Sequence, residues 1–167
     1  SIRPWTEAAA SVLAEALHDA GVTDNLRDGL PTPYTEAGAR DYIAFAQTAG
    51  EGAYAFAIAE DGVAVGSIQL TRQQNIHRRT AELGYYVVRR RWGAGICTEA
   101  VRQICRFAFE NTDVLRIFAE PFAENAASCR VLEKAGFQLE GVLRRNTVKN
   151  GQVRDMRLYS LVREDLE

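Results

Sequence analysis

Histidine is nearly missing from the chain: only His18 and His77 occur, 59 positions apart by subtraction. His18 falls in an amphipathic helical pattern and His77 in a polar stretch, so neither a histidine-built metal site nor a Ser-His-Asp triad is expected. Cysteine is scarce and odd in number, with Cys97, Cys105 and Cys129 and no Cys-x-x-Cys pair. Two of them fall on apolar helix positions, and the expectation is buried free thiols in a reducing compartment. No run of about 20 apolar residues is present, so no membrane span is expected. No leader pattern is visible, although the chain begins at Ser1, and a cytoplasmic location is the expectation. Positive charge is not in excess: the net charge is −2, against the strongly basic face of a nucleic-acid binder.

What remains is ordinary globular material. The 167 residues are 47% hydrophobic and 25% charged, enough for one domain over 1–167 with its own core. Ile2 to Trp5 reads as a short first strand. Thr6 stands where it can cap a helix with Val12, Leu13, Ala16, Leu17 and Ala20 inward, ended by Gly21. An irregular stretch from Asp24 to Tyr34 contains Gly29, Pro31 and Pro33. Thr35 then caps a second helix with Ala39, Tyr42, Ile43 and Ala46 on one face. The two helices and their loop suggest a cover over one end of the fold.

Ala53 to Ala59 alternates large and small residues with the period of a strand. Asp61-Gly62 is a hairpin turn into Val63–Leu70. A polar segment, Thr71 to Arg79, leads to a strand over Ala81–Val88. After the turn at 89–95, Ile96, Ala100, Ile104 and Ala108 make one buried helix row with Cys97, Val101 and Cys105 beside it, while Thr98, Glu99, Arg102, Gln103 and Arg106 are polar. Leu115–Glu120 is a further strand. Asn125 caps a helix closed by Gly136. Gly141–Lys149 and Val153–Val162 flank Asn150-Gly151, a type I′ hairpin pair. The order β-α-α-β-β-β-α-β-α-β-β specifies an α/β (α+β) class, a mixed sheet with helices on both faces.

The turn Arg89-Arg90-Arg91-Trp92-Gly93-Ala94-Gly95 is the most informative stretch. It joins a strand to a helix start, where unpartnered N–H groups and partial positive charge favour an anion such as a phosphate. It is not the dinucleotide fingerprint, because position 98 is Thr98 rather than glycine, and it is not a P-loop, because no Gly-Lys-Ser/Thr follows.

Arg90-x-x-Gly93-x-Gly95 resembles the acyl-CoA pyrophosphate loop of the GNAT family of N-acetyltransferases. Glu82-Leu83-Gly84-Tyr85-Tyr86 before the turn, and Asn125-x-x-Ser128 with Val131-Leu132-Glu133-Lys134-Ala135-Gly136-Phe137 after it, are similar to the same family. Arg3-Pro4-Trp5, Pro33-Tyr34-Thr35, Gly141-Val142-Leu143-Arg144 and the terminal Met156-x-Leu158-Tyr159 segment resemble its branch that acetylates ribosomal-protein N-termini. The chain departs from that branch at Val88-Arg89, where Asp-Pro is frequent, and at Ala9, where Asp is frequent.

The resemblance implies a mostly antiparallel sheet with a central parallel pair, and acetyl transfer from acetyl-CoA directly to an amine, with no metal. It implies a pyrophosphate cradle from Trp92, Gly93, Ala94, Gly95 and Ile96 with Arg90 or Arg91, and pantetheine pairing to Tyr86, Val87 and Val88. Asn125 is a further cofactor contact. Glu82 is the candidate base and Ser128 the candidate hydrogen-bond donor to the leaving sulfur, with Tyr159 an alternative acid. The acceptor is a protein N-terminus or a small amine such as a polyamine, with Asp24, Asp28 and Asp155 near it. A non-catalytic acyl-CoA-binding domain is the reading from another class. The assembly is a monomer or homodimer.

Overall fold

Asn150 and Gly151 both take positive φ, 52° and 76°, as a type I′ turn requires. They join two long strands, β6 (Gln138–Lys149) and β7 (Gln152–Val162). The computed structural model describes residues 1–28, 30, 34–48 and 52–166. Gly29, Pro31 and Pro33 of the sequence reading lie outside the described residues. The other strands are β1 (Ile2–Arg3), β2 (Ala53–Glu60), β3 (Val63–Arg72), β4 (Thr80–Val87) and β5 (Arg116–Ala119). Together they form one seven-stranded sheet in the order β1-β2-β3-β4-β5-β7-β6. β4 and β5 are its parallel pair, and the other neighbours are antiparallel.

The large–small alternation of β2 sets the two layers. Tyr54, Phe56 and Ile58 enter the core beneath helix α4 (Ile96–Asn111), whose Val101, Ile104 and Ala108 are buried. Ala55 and Ala57 face the opposite core, where α1 (Ala10–His18) and α3 (Glu36–Thr48) bring Leu13, Leu17, Ala39 and Ile43 against the sheet. Small side chains on that face let two helices pack closely. Thr35 Oγ1 accepts the Gly38 N–H at 3.1 Å, the expected cap of α3. No helix among the described residues is long and apolar enough to cross a membrane.

Three sequence expectations are corrected. Thr6 makes no side-chain cap; the residues after it form a 3₁₀ turn, Glu7–Ala9. Gly21 does not end the first helix. The break is at Asp19, whose carboxylate accepts the Gly21 N–H at 2.8 Å and caps the short α2 (Ala20–Thr23). Thr98 is not on the polar face of α4 but buried, 8% exposed.

The last helix, α5 (Ala126–Lys134), is capped as read: Asn125 Oδ1 accepts the Ser128 N–H at 3.2 Å. At its other end Phe137 N–H reaches Leu132 O and Gly136 N–H reaches Glu133 O, with Gly136 at φ 96°. Those two bonds are the Schellman closure that a C′ glycine permits.

Candidate active site

The parallel pairing of β4 and β5 is short. It covers only Thr80↔Arg116, Ala81↔Ile117 and Glu82↔Phe118, while β4 runs on to Val87 and β5 turns away after Ala119. Beyond Glu82 the strands part. The opening joins two cavities, of about 400 and about 440 Å³, on either side of it. Tyr85, Tyr86, Pro121 and Ser128 line both.

The smaller cavity lies at the N-terminus of α4. Gly93 and Gly95 adopt left-handed φ of 78° and 75°, and a Cβ at either would meet nothing within 4 Å, so their backbone is open to a ligand. Gly95 is the N-cap and supplies no side-chain acceptor, which leaves the first N–H groups of a 16-residue helix directed at the cavity. Trp92, Gly93, Ala94, Gly95, Ile96 and Asn125 all line it, as do Arg91, Tyr86 and Val87. This set fits the pyrophosphate of an acyl-CoA: open backbone donors at a helix start, and an Arg91 whose buried Nε has no partner among the described residues.

The arginines of the turn are less free than their sequence suggests. Arg89 pairs with both oxygens of Asp19 at 2.8 and 2.7 Å, which holds the Asp19 carboxyl down at about 2. Arg90 pairs with Glu15 at 3.2 Å and does not line the cavity. Arg91 is ion-paired with Glu60. The cavity's other cations come from α5, where Arg130 and Lys134 face it. The signal for them was present in the sequence as the helical spacing Ala127, Arg130, Val131, Lys134.

The edge available to a pantetheine arm is also more specific. Val88 N–H donates to Val65 O at 2.9 Å, and Val88 is 1% exposed. Strand alternation turns Tyr86 the same way, toward β3. The backbone groups of Tyr85 and Val87 therefore face the opening, and the Val87 carbonyl accepts the Trp92 indole N–H at 3.1 Å.

The larger cavity holds the acids. Glu82 is in it, with both oxygens bonded to Arg27 at 2.8 and 2.9 Å. Glu120, at the end of β5, lies 3.6 Å from the same guanidinium. Burial, then the Glu82 charge, push the Glu120 carboxyl above its usual range, and Arg27 pulls the other way. Glu120 was passed over in the sequence although it stands at a strand end before Pro121; no sequence pattern marks Arg27. Asp24 accepts Asn150 Nδ2 at 3.1 Å and Asp28 pairs with Lys149 at 2.8 Å, which clasps the 24–28 segment to the β6–β7 turn. Asp155 receives the Arg145 N–H at 2.6 Å and serves the irregularity in β6 rather than the cavity.

Ser128 sits at the junction, its Oγ 2.6 Å from the Tyr85 hydroxyl. Tyr85 is held above its ordinary range chiefly by burial. Tyr159 is 1% exposed, donates to Glu133 at 2.9 Å and lines neither cavity.

Comparison with known proteins agrees with this architecture. A model described as an acetyltransferase (GNAT) domain matches residues 1–138. The uncharacterized N-acetyltransferase YoaA of Bacillus subtilis is 37% identical over 59% of the chain and 55% of its own length. The putative ribosomal N-acetyltransferase YdaF of the same organism is 34% identical over 64% of the chain and 58% of its own. An Escherichia coli spermidine N(1)-acetyltransferase is 27% identical over 60% and 53%. The chain thus matches little more than half the length of these curated relatives. Among solved structures, Mycobacterium smegmatis RimJ in complex with CoA-disulfide superposes with a TM-score of 0.87 at 26% identity, over 99% of this chain and 82% of that one. The family model covers more than half of the chain, and the chain belongs to the GNAT acetyltransferase family.

Proposed function

We propose that residues 1–167 form one acetyl-CoA-dependent N-acetyltransferase unit acting on a primary amine. The observation that carries the reading is the meeting of two cavities at the β4/β5 opening, one with backbone donors for an anion and one with paired carboxylates. Bound acetyl-CoA would supply an acetyl thioester whose C–S bond breaks as the new C–N bond forms.

The chain's residues divide the remaining work. The N–H groups at the start of α4, with Arg91, Arg130 and Lys134, hold the phosphates. Tyr85 and Val87 offer backbone groups along the opening, where an extended amide arm can add as a strand. Asn125 orders the first turn of α5 and so fixes Ser128. Ser128, with Tyr85 behind it, donates to the leaving sulfur. Glu82 and Glu120 receive the proton that the ammonium must lose before attack.

The acceptor follows from the second cavity. Its charged lining among the described residues is Arg27, Asp28, Glu82 and Glu120, one cation against three acids. Such a lining favours a small cationic amine, as in the spermidine relative, over an extended protein N-terminus. Cys97, Cys105 and Cys129 are unpaired, which fits a reducing, cytoplasmic setting. The test is thiol release from acetyl-CoA with polyamines, amino-acid amides and amino-terminal peptides as acceptors. Turnover with a polyamine supports the reading in full. Turnover with peptides alone overturns the acceptor class, and CoA binding with no turnover on any of them overturns the enzymatic reading.

A further inference from the structure

We infer that Glu82 and Glu120 form the seat of the acceptor's ammonium group, that Arg27 fills this seat when no acceptor is present, and that acceptor binding is an exchange of one cation for another. This rests on the larger cavity being the acceptor side.

The geometry is that of a shared counter-ion. Arg27 gives two hydrogen bonds to Glu82, at 2.8 and 2.9 Å, and its Nη2 is 3.6 Å from Glu120 Oε2. The acids are withdrawn, each with a side chain 23% exposed, whereas the arginine is 60% exposed and covers them from outside. Two half-buried carboxylates facing one site repel each other unless a cation stands between them. Arg27 is the only cation lining this cavity among the described residues. An ammonium, with three donors, can replace it and bond both acids. Tyr34, Tyr42, Tyr86 and Phe122 supply aromatic wall, which suits a cation.

Arg27 is also held so that it can leave and return. Its own carboxylate contacts are solvent-facing, but the chain on either side is anchored: Asp24 to Asn150 and Asp28 to Lys149. The side chain can swing while the segment stays.

The exchange orders the reaction. The ammonium displaces Arg27 and gives a proton to Glu120, whose proton affinity burial and the Glu82 charge have raised. The freed nitrogen lone pair forms the C–N bond and the nitrogen gives up its second proton to solvent; the C–S bond breaks, and the sulfur takes a proton from the Ser128–Tyr85 hydroxyl pair, which regains one from solvent. Glu120 returns its proton to solvent. The product amide carries no charge at that nitrogen, so it no longer competes for the seat, and Arg27 reclaims it. Acetylation itself thus promotes release.

Calorimetric titration of the full chain tests this with two probes, spermidine and an amidated tetrapeptide with uncharged side chains whose single charge is its free alanine amino terminus. Arg27→Gln should tighten at least one probe by about fivefold to tenfold, and Glu120→Gln should weaken that probe by about tenfold. The acetylated form of the probe should bind Arg27→Gln more tightly than the wild type. Thermal melting of each variant checks that it is folded. Unchanged or weaker probe binding in folded Arg27→Gln, or no saturable binding of either probe to wild type and variant, overturns the proposal. CoA titrated into the same samples reports the acyl-CoA reading separately: failure there sinks the proposed function, whereas intact CoA binding with an indifferent Arg27 sinks only the exchange.

Discussion

The Tyr85 hydroxyl and Ser128 Oγ stand 2.6 Å apart across the opening, one carried by β4 and the other by the first turn of α5. Both residues line both cavities, so on the proposed function the pair sits where a thioester and an amine would meet. Ser128→Ala and Tyr85→Phe should each lower kcat by about tenfold to a hundredfold with little change in the KM for acetyl-CoA. The double variant should lose little more than the worse single one, because the two hydroxyls act as a unit. Steady-state kinetics of the four proteins decides it, and full additivity would mean independent roles.

The cations on α5 should matter more to CoA than Arg90. Arg130 and Lys134 line the smaller cavity, whereas Arg90 is turned to Glu15. Replacing both α5 cations by alanine should weaken CoA about tenfold and reduce the salt dependence of binding. Arg90→Ala should change CoA affinity by less than about twofold. Titrations at two salt concentrations distinguish these outcomes.

Asn125 joins stability to activity. Its side chain accepts the Ser128 N–H. Asn125→Ala should cost about 1 kcal/mol in urea denaturation. It should also reduce kcat, because the turn that carries Ser128 loosens, while Asn125→Asp should restore most of the stability.

Gly66 allows a close backbone approach. A Cβ there would fall 2.2 Å from the Tyr86 carbonyl oxygen, inside any tolerable contact, and 2.9 Å from Val87 Cα. Gly66→Ala should therefore push β3 from β4 and destabilise the fold by about 1–3 kcal/mol. CoA binding should weaken as well, since Tyr85 to Val87 border the cavity. A variant with unchanged denaturation midpoint would contradict this.

Glu140 should shape the acid limb of stability. Arg116 bonds both its oxygens at 2.6 and 2.8 Å and Ser160 adds a third bond, which lowers the carboxyl from 4.5 to about 2. A carboxyl depressed in the folded state stabilises fully above its unfolded value and loses that contribution as pH falls. The loss should run from about pH 5 down to about pH 2. The side chain is 38% exposed, so solvent screening limits the effect to below about 1 kcal/mol. Glu140→Gln should lose this contribution near neutrality, where it is fully present, and flatten the denaturation profile in that window, so that the two proteins converge at acid pH.

The parts of the fold legible in the sequence were those set by local chemistry. Asn150-Gly151 and Gly136 require backbone that few residues adopt, and the structure uses them so. The row Ile96, Ala100, Ile104, Ala108 states its own buried face. The glycine turn and the Asn125 cap were equally local, and they lie at one opening. Pairings between distant residues were not legible. Arg89, Arg90 and Arg91 read as free positive charge, but Asp19, Glu15 and Glu60 neutralise them from other elements. Arg27 reaches Glu82 across 55 positions, and neither periodicity nor spacing encodes that. Thr98 looked polar because its residue type is, yet its position on α4 turns it inward.

β7 is the last strand of the sheet in sequence but not in space: it lies between β5 and β6 and bonds both. During synthesis, a chain made only as far as Lys149 would have the glycine turn, α4 and α5, but the outer edge of β5 would be bare. The Asp24–Asn150 and Asp28–Lys149 clasps would have no settled partner until the hairpin folded back. The segment that carries Arg27 is thus anchored on the last hairpin of the sheet, whereas the anion side is built from elements that precede it.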